Sequence, residues 1–193
     1  MPRRIALIDG HPDPDPARLC HALADACAEG ARAAGHAVDR LDVARMDLPL
    51  LRTAEDYREG APPPAAAEAQ RVIEAADHLV LIYPLWLGTL PALTKGFLEQ
   101  TLRPGFAADT TGTLPKGRLG GRSARVVVTM GMPALAYRWW FGAHSLRSLE
   151  RNVLKFCGLS PVRDTLLGGV ENASPATRAK WLETLRRLGA EAR

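Results

Sequence analysis

The amino-acid sequence predicts an α/β protein built on a parallel sheet. Two apolar runs, His78–Tyr83 and Ala124–Met130, do not alternate with polar residues, which is the pattern of strands covered on both faces. These runs alternate with helical periods along all 193 residues, a length at which one domain can bury about 70% of the surface its unfolded chain exposes. Residues 1–193 are therefore read as a single domain. With 47% hydrophobic and 24% charged residues, the composition excludes disordered, collagen-like and coiled-coil chains.

Each element follows in order. Arg3–Asp9 is short and β-like, and after a proline-rich turn Leu19, Ala22, Leu23, Ala26 and Cys27 recur at helical spacing. Gly35 stops that helix, and His36–Asp42 alternates as a second strand. Arg45–Ala67, with Pro49, Gly60 and Pro62–Pro64, exceeds a simple turn and reads as a functional loop. A helix over Ala65–Ala76 leads into the third strand, which Pro84 ends, and Pro91 opens a helix to about Thr101. Arg103–Arg122 is a second long, glycine-rich loop before the fourth strand. Leu146, Leu149, Val153 and Phe156 mark a helix stopped by Gly158; Val162–Leu167 is a weak strand, and Pro175 opens the last helix.

Strand and helix in this alternation, with right-handed crossovers, favour a flavodoxin-like three-layer sandwich whose five-stranded parallel sheet has the order 2-1-3-4-5. Ligands of such sheets gather at the carboxyl ends of the strands near the switch in strand order. That directs attention to Gly10–Pro16, Pro84–Leu90 and Gly131–Phe141.

No window approaches the ~20 apolar residues of a membrane span, and Ile5–Ile8 is too short for the core of a secretory signal. Three cysteines, with Cys20 and Cys27 two helical turns or about 10 Å apart, read as reduced thiols in a cytoplasmic protein. Of the 25 basic and 21 acidic residues, 10 and 15 fall in residues 1–99 and 15 and 6 in residues 100–193, net −5 and +9. The second-half arginines are dispersed, which suits a solvated face or the attraction of small anions rather than nucleic acid.

In the first loop, His11, Arg18 and the amides from Ala17 onward suit a phosphate at a helix N-terminus, with Asp15 as N-cap and Pro16 at the first helical position. Against this, Pro12, Pro14 and Pro16 remove amide donors and Asp13 and Asp15 bring negative charge. The two aspartates also admit a Mg²⁺ phosphatase, for which the later loops offer no further carboxylates. Tyr83-Pro-Leu-Trp-Leu-Gly-Thr-Leu-Pro91 places an apolar wall where a polar loop is expected, suiting a flat ligand. Thr129-Met-Gly-Met-Pro133 is small and amide-rich, and Tyr137–Phe141 holds four of the eleven aromatics, followed by His144. An apolar slot edged by amides and by Tyr and His proton donors fits a planar redox ring. The motifs of P-loop nucleotide, nucleophile-elbow and metalloprotease sites do not occur, and no metal ligand set is assigned.

Gly10-His11-Pro12, Tyr83–Trp86 with Pro91-Ala92 and Lys95-Gly96, Thr129–Gly131, Tyr137 with His144, and Phe156-Cys157-Gly158 occur in order over nearly the whole chain. In this the sequence resembles the flavodoxin-fold NAD(P)H:quinone oxidoreductases, the DT-diaphorase-like family, in its short bacterial form. The resemblance implies a bound flavin, FAD with FMN as the alternative. Its anchors would be His11, Asp15, Ala17 and Arg18 toward the phosphates, Pro84, Leu85, Trp86 and Leu87 along the ring, and Thr129, Met130, Gly131 and Met132 at the pyrimidine edge. It further implies ping-pong transfer of two electrons from NADPH or NADH to a quinone, with Tyr137 and His144 binding substrate and relaying a proton, in a homodimer. Where the family has substrate-wall tyrosines this chain has Ala108 and Thr110, implying a wider site that Trp139 or Trp140 is placed to fill. Two other readings stand beside it: a flavin-bound regulatory subunit of a potassium-efflux type membrane transporter, and an electron-shuttle flavodoxin.

Overall fold

The computed structural model describes residues 1–193. Its main sheet has five parallel strands, β1 (Arg4–Asp9), β2 (Ala37–Asp42), β3 (His78–Pro84), β6 (Ser123–Met130) and β7 (Val162–Gly168), in the order β2-β1-β3-β6-β7. Counting only these five, this is the predicted 2-1-3-4-5, with the switch between β1 and β3. The register pairs Ile8 with Leu81 and Tyr83 with Val128, so the carboxyl ends of β1, β3 and β6 come level at one edge.

Because successive strand residues point to opposite faces, each apolar run feeds two cores. Ala6, Ile8, Leu79, Leu81, Tyr83, Val126 and Val128 face a core shared with α3 (Pro64–Ala75), α4 (Ala92–Thr101) and α5 (His144–Ser148). Ile5, Leu7, Val80, Ile82 and Val127 face α1 (Leu19–Ala33) and α6 (Pro175–Glu191). These two helices approach until a Cβ on Gly30 would stand 1.9 Å from the Arg186 carbonyl oxygen, so only glycine fits there.

Four expectations are corrected. The first helix starts at Leu19 with Arg18 at the N-cap, because the Asp15 carboxylate accepts the Ala17 N–H at 3.0 Å and closes a turn instead. Asp15 therefore caps no helix. The stretch 45–67 is not all loop: it contains α2 (Ala54–Arg58), capped by Thr53, and the start of α3. The long loop 103–122 folds into a small antiparallel pair, β4 (Ala108–Asp109) with β5 (Lys116–Gly117). The period 146–156 divides into α5 and a π-helical segment, Leu149–Lys155. The other boundaries agree to within a residue or two. Cys20, Cys27 and Cys157 are free and buried. No helix is long and apolar enough to cross a membrane.

Candidate functional site

At the carboxyl edge of the sheet lies a cleft of about 490 Å³, within the range of small-molecule and cofactor sites. The three loops singled out from the sequence meet there: His11 and Arg18 from the first, Pro84, Leu85 and Trp86 from the second, Thr129, Met130 and Gly131 from the third.

The first loop is held by its own polar groups. Gly10 donates to the Ile82 carbonyl at 2.7 Å, and a Cβ there would stand 2.8 Å from Thr94 Cγ2, so the chain leaves β1 hard against β3 and α4. His11 is buried; its Nδ1 lies 3.1 Å from the Asp13 backbone nitrogen and 3.2 Å from the Asp13 carbonyl oxygen. Burial lowers its pKa, so His11 is neutral at pH 7. Arg18 Nε reaches Asp13 Oδ2 at 2.8 Å and its Nη2 reaches Asp15 Oδ2 at 3.3 Å. The carboxylates offered as a Mg²⁺ site are thus paired with Arg18, and Ala17's amide is taken by Asp15. The unbonded amides of this helix start belong to Leu19 and Cys20.

The second loop supplies the wall. Trp86 is half exposed and stands edge-on to His11, with ring centroids 6.1 Å apart at 81°. Its amides are more committed than expected: Leu85 donates to Thr129 O at 2.7 Å and Trp86 to Thr89 O at 2.9 Å. Leu87, at φ 46° and fully exposed, Gly88 and Leu90 keep N–H groups with no protein acceptor. In the third loop Gly131 and Met132 donate to no protein acceptor, while the Thr129 hydroxyl rests 3.4 Å from Cys20 Sγ. Burial pushes that thiol up to about 12, so it stays protonated.

Asp15, Ala17, Leu87, Met132, Tyr137 and His144 do not line the cleft. Tyr137 is buried, and its hydroxyl is 2.8 Å from Ser145 Oγ. It makes no hydrogen bond with His144, which is exposed with its ring over Gly142. Tyr137 lies in a π-helical turn, Ala136–Trp140, and the chain then passes through positive φ at Gly142 and Ala143 before α5 begins at His144. Trp139 and Trp140 fill no pocket; they are 79% and 85% exposed. A second, more apolar cavity of about 590 Å³ takes Ala108 and Thr110 into its wall, with Thr89, Leu90 and Ser145.

Sequence reasoning missed Val170 and Glu171, on the turn after β7, which close the far side of the cleft; a Cβ on Gly131 would lie 3.1 Å from Glu171 Oε1. Arg178 pins this turn through the Val170 carbonyl at 3.0 Å. The available signal was the rule that every strand's carboxyl end is a candidate.

A parallel sheet with a cleft at its switch point defines a class of ligand-binding α/β proteins. Within it, residues 3–188 match the family described as flavodoxin-like fold, and the chain belongs to that family. It is similar to mouse (Mus musculus) ribosyldihydronicotinamide dehydrogenase (quinone), 28% identical over 149 residues, covering 73% of this chain and 64% of that protein. It is similar to rat (Rattus norvegicus) NAD(P)H dehydrogenase (quinone) 1, 28% identical over 132 residues, covering 66% of this chain and 48% of that one. The chain thus spans between about half and two thirds of these relatives. Among solved structures, the NAD(P)H:quinone oxidoreductase from Methanothermobacter marburgensis superposes with a TM-score of 0.83 at 26% identity, covering 99% of this chain and 97% of that one.

Proposed function

We propose that the protein is a flavin-dependent oxidoreductase that passes two electrons from NAD(P)H to a quinone. The observation that carries the reading is the donor set of the cleft. An apolar wall, Leu85–Trp86, shares the cleft with Gly131, whose amide meets no protein acceptor, an arrangement suited to a planar heterocycle with polar edges. The similarity to quinone reductases supports the same chemistry.

A flavin fits these residues. Leu19 and Cys20 N–H groups, with Arg18 and the His11 ring, suit its phosphate; Trp86 and Leu85 suit its ring; Gly131, with Met132 next to it in the chain, suits its pyrimidine edge. We read the flavin as FAD, with FMN the alternative. When bound it supplies the two-electron hydride chemistry.

The chain's own tasks are exclusion of water and supply of protons. Leu85 and Trp86 keep water from the slot, which raises the strength of the polar contacts inside it. One slot admits one planar substrate at a time, so donor and acceptor use it in turn and the kinetics are ping-pong. A two-electron-reduced quinone is an oxyanion until protonated. Tyr137 and His144 stand outside the cleft; Tyr137 reaches the second cavity through Ser145, and these are the groups to which we assign that proton. Leu135, Trp139, Trp140 and Phe141, exposed within one segment, form the kind of patch that marks a contact surface, which supports a homodimer.

Initial rates test the reading. NADPH or NADH consumption by the flavin-loaded protein should accelerate when a quinone is added, with parallel double-reciprocal lines. Consumption indifferent to quinone would contradict it.

A further inference from the structure

We propose that His21, held as an imidazolium, is a positioning residue that sets the loop after β1 for the cofactor. His21 stands in the first turn of α1, 6% exposed. Its Nδ1 lies 2.6 Å from Asp9 Oδ2 and its Nε2 lies 2.9 Å from the carbonyl oxygen of Asp13. Both partners only accept. Asp9 is fully buried and its carboxylate already takes the Arg40 Nη2–H at 2.6 Å and the His11 backbone N–H at 3.4 Å; a peptide carbonyl has no proton to give. A neutral imidazole carries one N–H and would turn its bare nitrogen toward an acceptor. Only the doubly protonated ring donates to both.

The consequence runs through Asp13. His11 Nδ1 lies 3.1 Å from the Asp13 nitrogen and 3.2 Å from its carbonyl oxygen; with that carbonyl taken by His21, we assign the N–H to Nδ1 and the His11 proton to Nε2, while the Asp13 carboxylate meets Arg18 Nε at 2.8 Å. His11 and Arg18 line the cleft, whereas His21 does not. His21 therefore acts through other residues, as the outer partners of a binding site do.

The groups facing His21 are Asp9 from β1, Arg40 and Asp42 from β2, Asp25 from α1, and His11 and Asp13 from the loop, with Arg45 on the same hollow. Burial lowers the His21 pKa, but the bonds to Asp9 and Asp13 outweigh it and the net shift is upward. His11 is shifted downward, first by burial. The two rings titrate on opposite sides of the ordinary value of about 6.5. The His21 contribution is complete below that value and is lost as pH rises through its folded pKa.

Ring ¹⁵N spectroscopy of the protein without flavin tests the protonation state. The expected result is a His21 midpoint above about 6.5 with both nitrogens protonated below it; a midpoint at or below that value overturns the proposal. His21→Gln cannot titrate and should shift the His11 proton away from Nε2. It should also weaken flavin binding about tenfold at pH 6 and abolish the alkaline loss of affinity, leaving the acid limb from His11. Unchanged His11 shifts, or an unchanged pH profile of flavin affinity, would overturn it. The affinity readout rests on the flavin reading; if no flavin binds at any pH, that reading fails and the ring spectra still decide the role of His21. They need no variant, so a misfolded His21→Gln leaves the test intact.

Discussion

The two ends of the sheet treat their polar groups in opposite ways. At the amino ends of the strands most are spent within the protein, although His78 Nε2 is buried without a partner. His78 Nδ1 lies 2.8 Å from Ser123 Oγ, and Arg125 donates to Thr165 Oγ1 at 2.7 Å, to the Asp164 carbonyl at 3.2 Å and to the carbonyl of Arg193. Arg4 N–H meets Asp77 Oδ2 at 2.8 Å. At the carboxyl ends, Leu87, Gly131 and Met132 keep their N–H groups free beside an apolar wall. Leu87 and Gly131 are exposed, so their N–H groups are open to a ligand, whereas the closed end is where the fold is held. Changes at the closed end should cost stability, and changes at the open end should cost binding.

The largest effect is expected from Arg125→Ala. It removes a buried side chain and leaves the part-buried Asp164, Thr165 and Arg193 acceptors without their donor, and should cost about 3 kcal/mol in urea unfolding, with flavin affinity unchanged in the folded fraction. Loss of affinity without loss of stability would break the division. Next is acid destabilisation. Burial, then the positive charges of Arg125 and Arg3, lower the His78 pKa to about 4. The unfolded chain binds this proton near pH 6.5 and the folded one does not, so stability present above 6.5 is lost as pH falls toward 4, by up to about 3 kcal/mol. His78→Gln should flatten that part of the pH dependence, leaving the smaller share of His11.

At the open end, Trp86→Ala should raise the flavin dissociation constant about tenfold, since an aromatic contact is lost, while stability moves by less than ~0.5 kcal/mol. Fluorescence titration and urea unfolding separate the two. The smallest effect belongs to Arg18→Ala. Its side chain is about half exposed and both its ion pairs lie within its own loop, so stability should change by less than about 1 kcal/mol.

The closed end was largely legible in the sequence. Unbroken apolar runs such as Leu79–Tyr83 and Val126–Val128 declare strands buried on both faces, and the alternation of strands and helices leaves few sheet orders. The open end was legible as a set of loops but not as bonds. No pattern shows that Leu85 spends its amide on Thr129, or that Asp15 takes the Ala17 N–H and delays α1 to Leu19. Both depend on loop conformation. The separation of Tyr137 from His144 was hidden for a related reason. Between them the chain leaves a π-helical turn and passes through positive φ at Gly142 and Ala143, a break that helical periodicity does not register. Glu171 was missed because the turn after β7 carries no motif.

The cleft's occupant is tested most directly by the visible spectrum of the purified protein, with mass identification of whatever heat releases from it. Flavin absorbance, at about one FAD or FMN per chain after incubation with either, is the expected result. A colourless protein that takes up neither flavin would contradict the account.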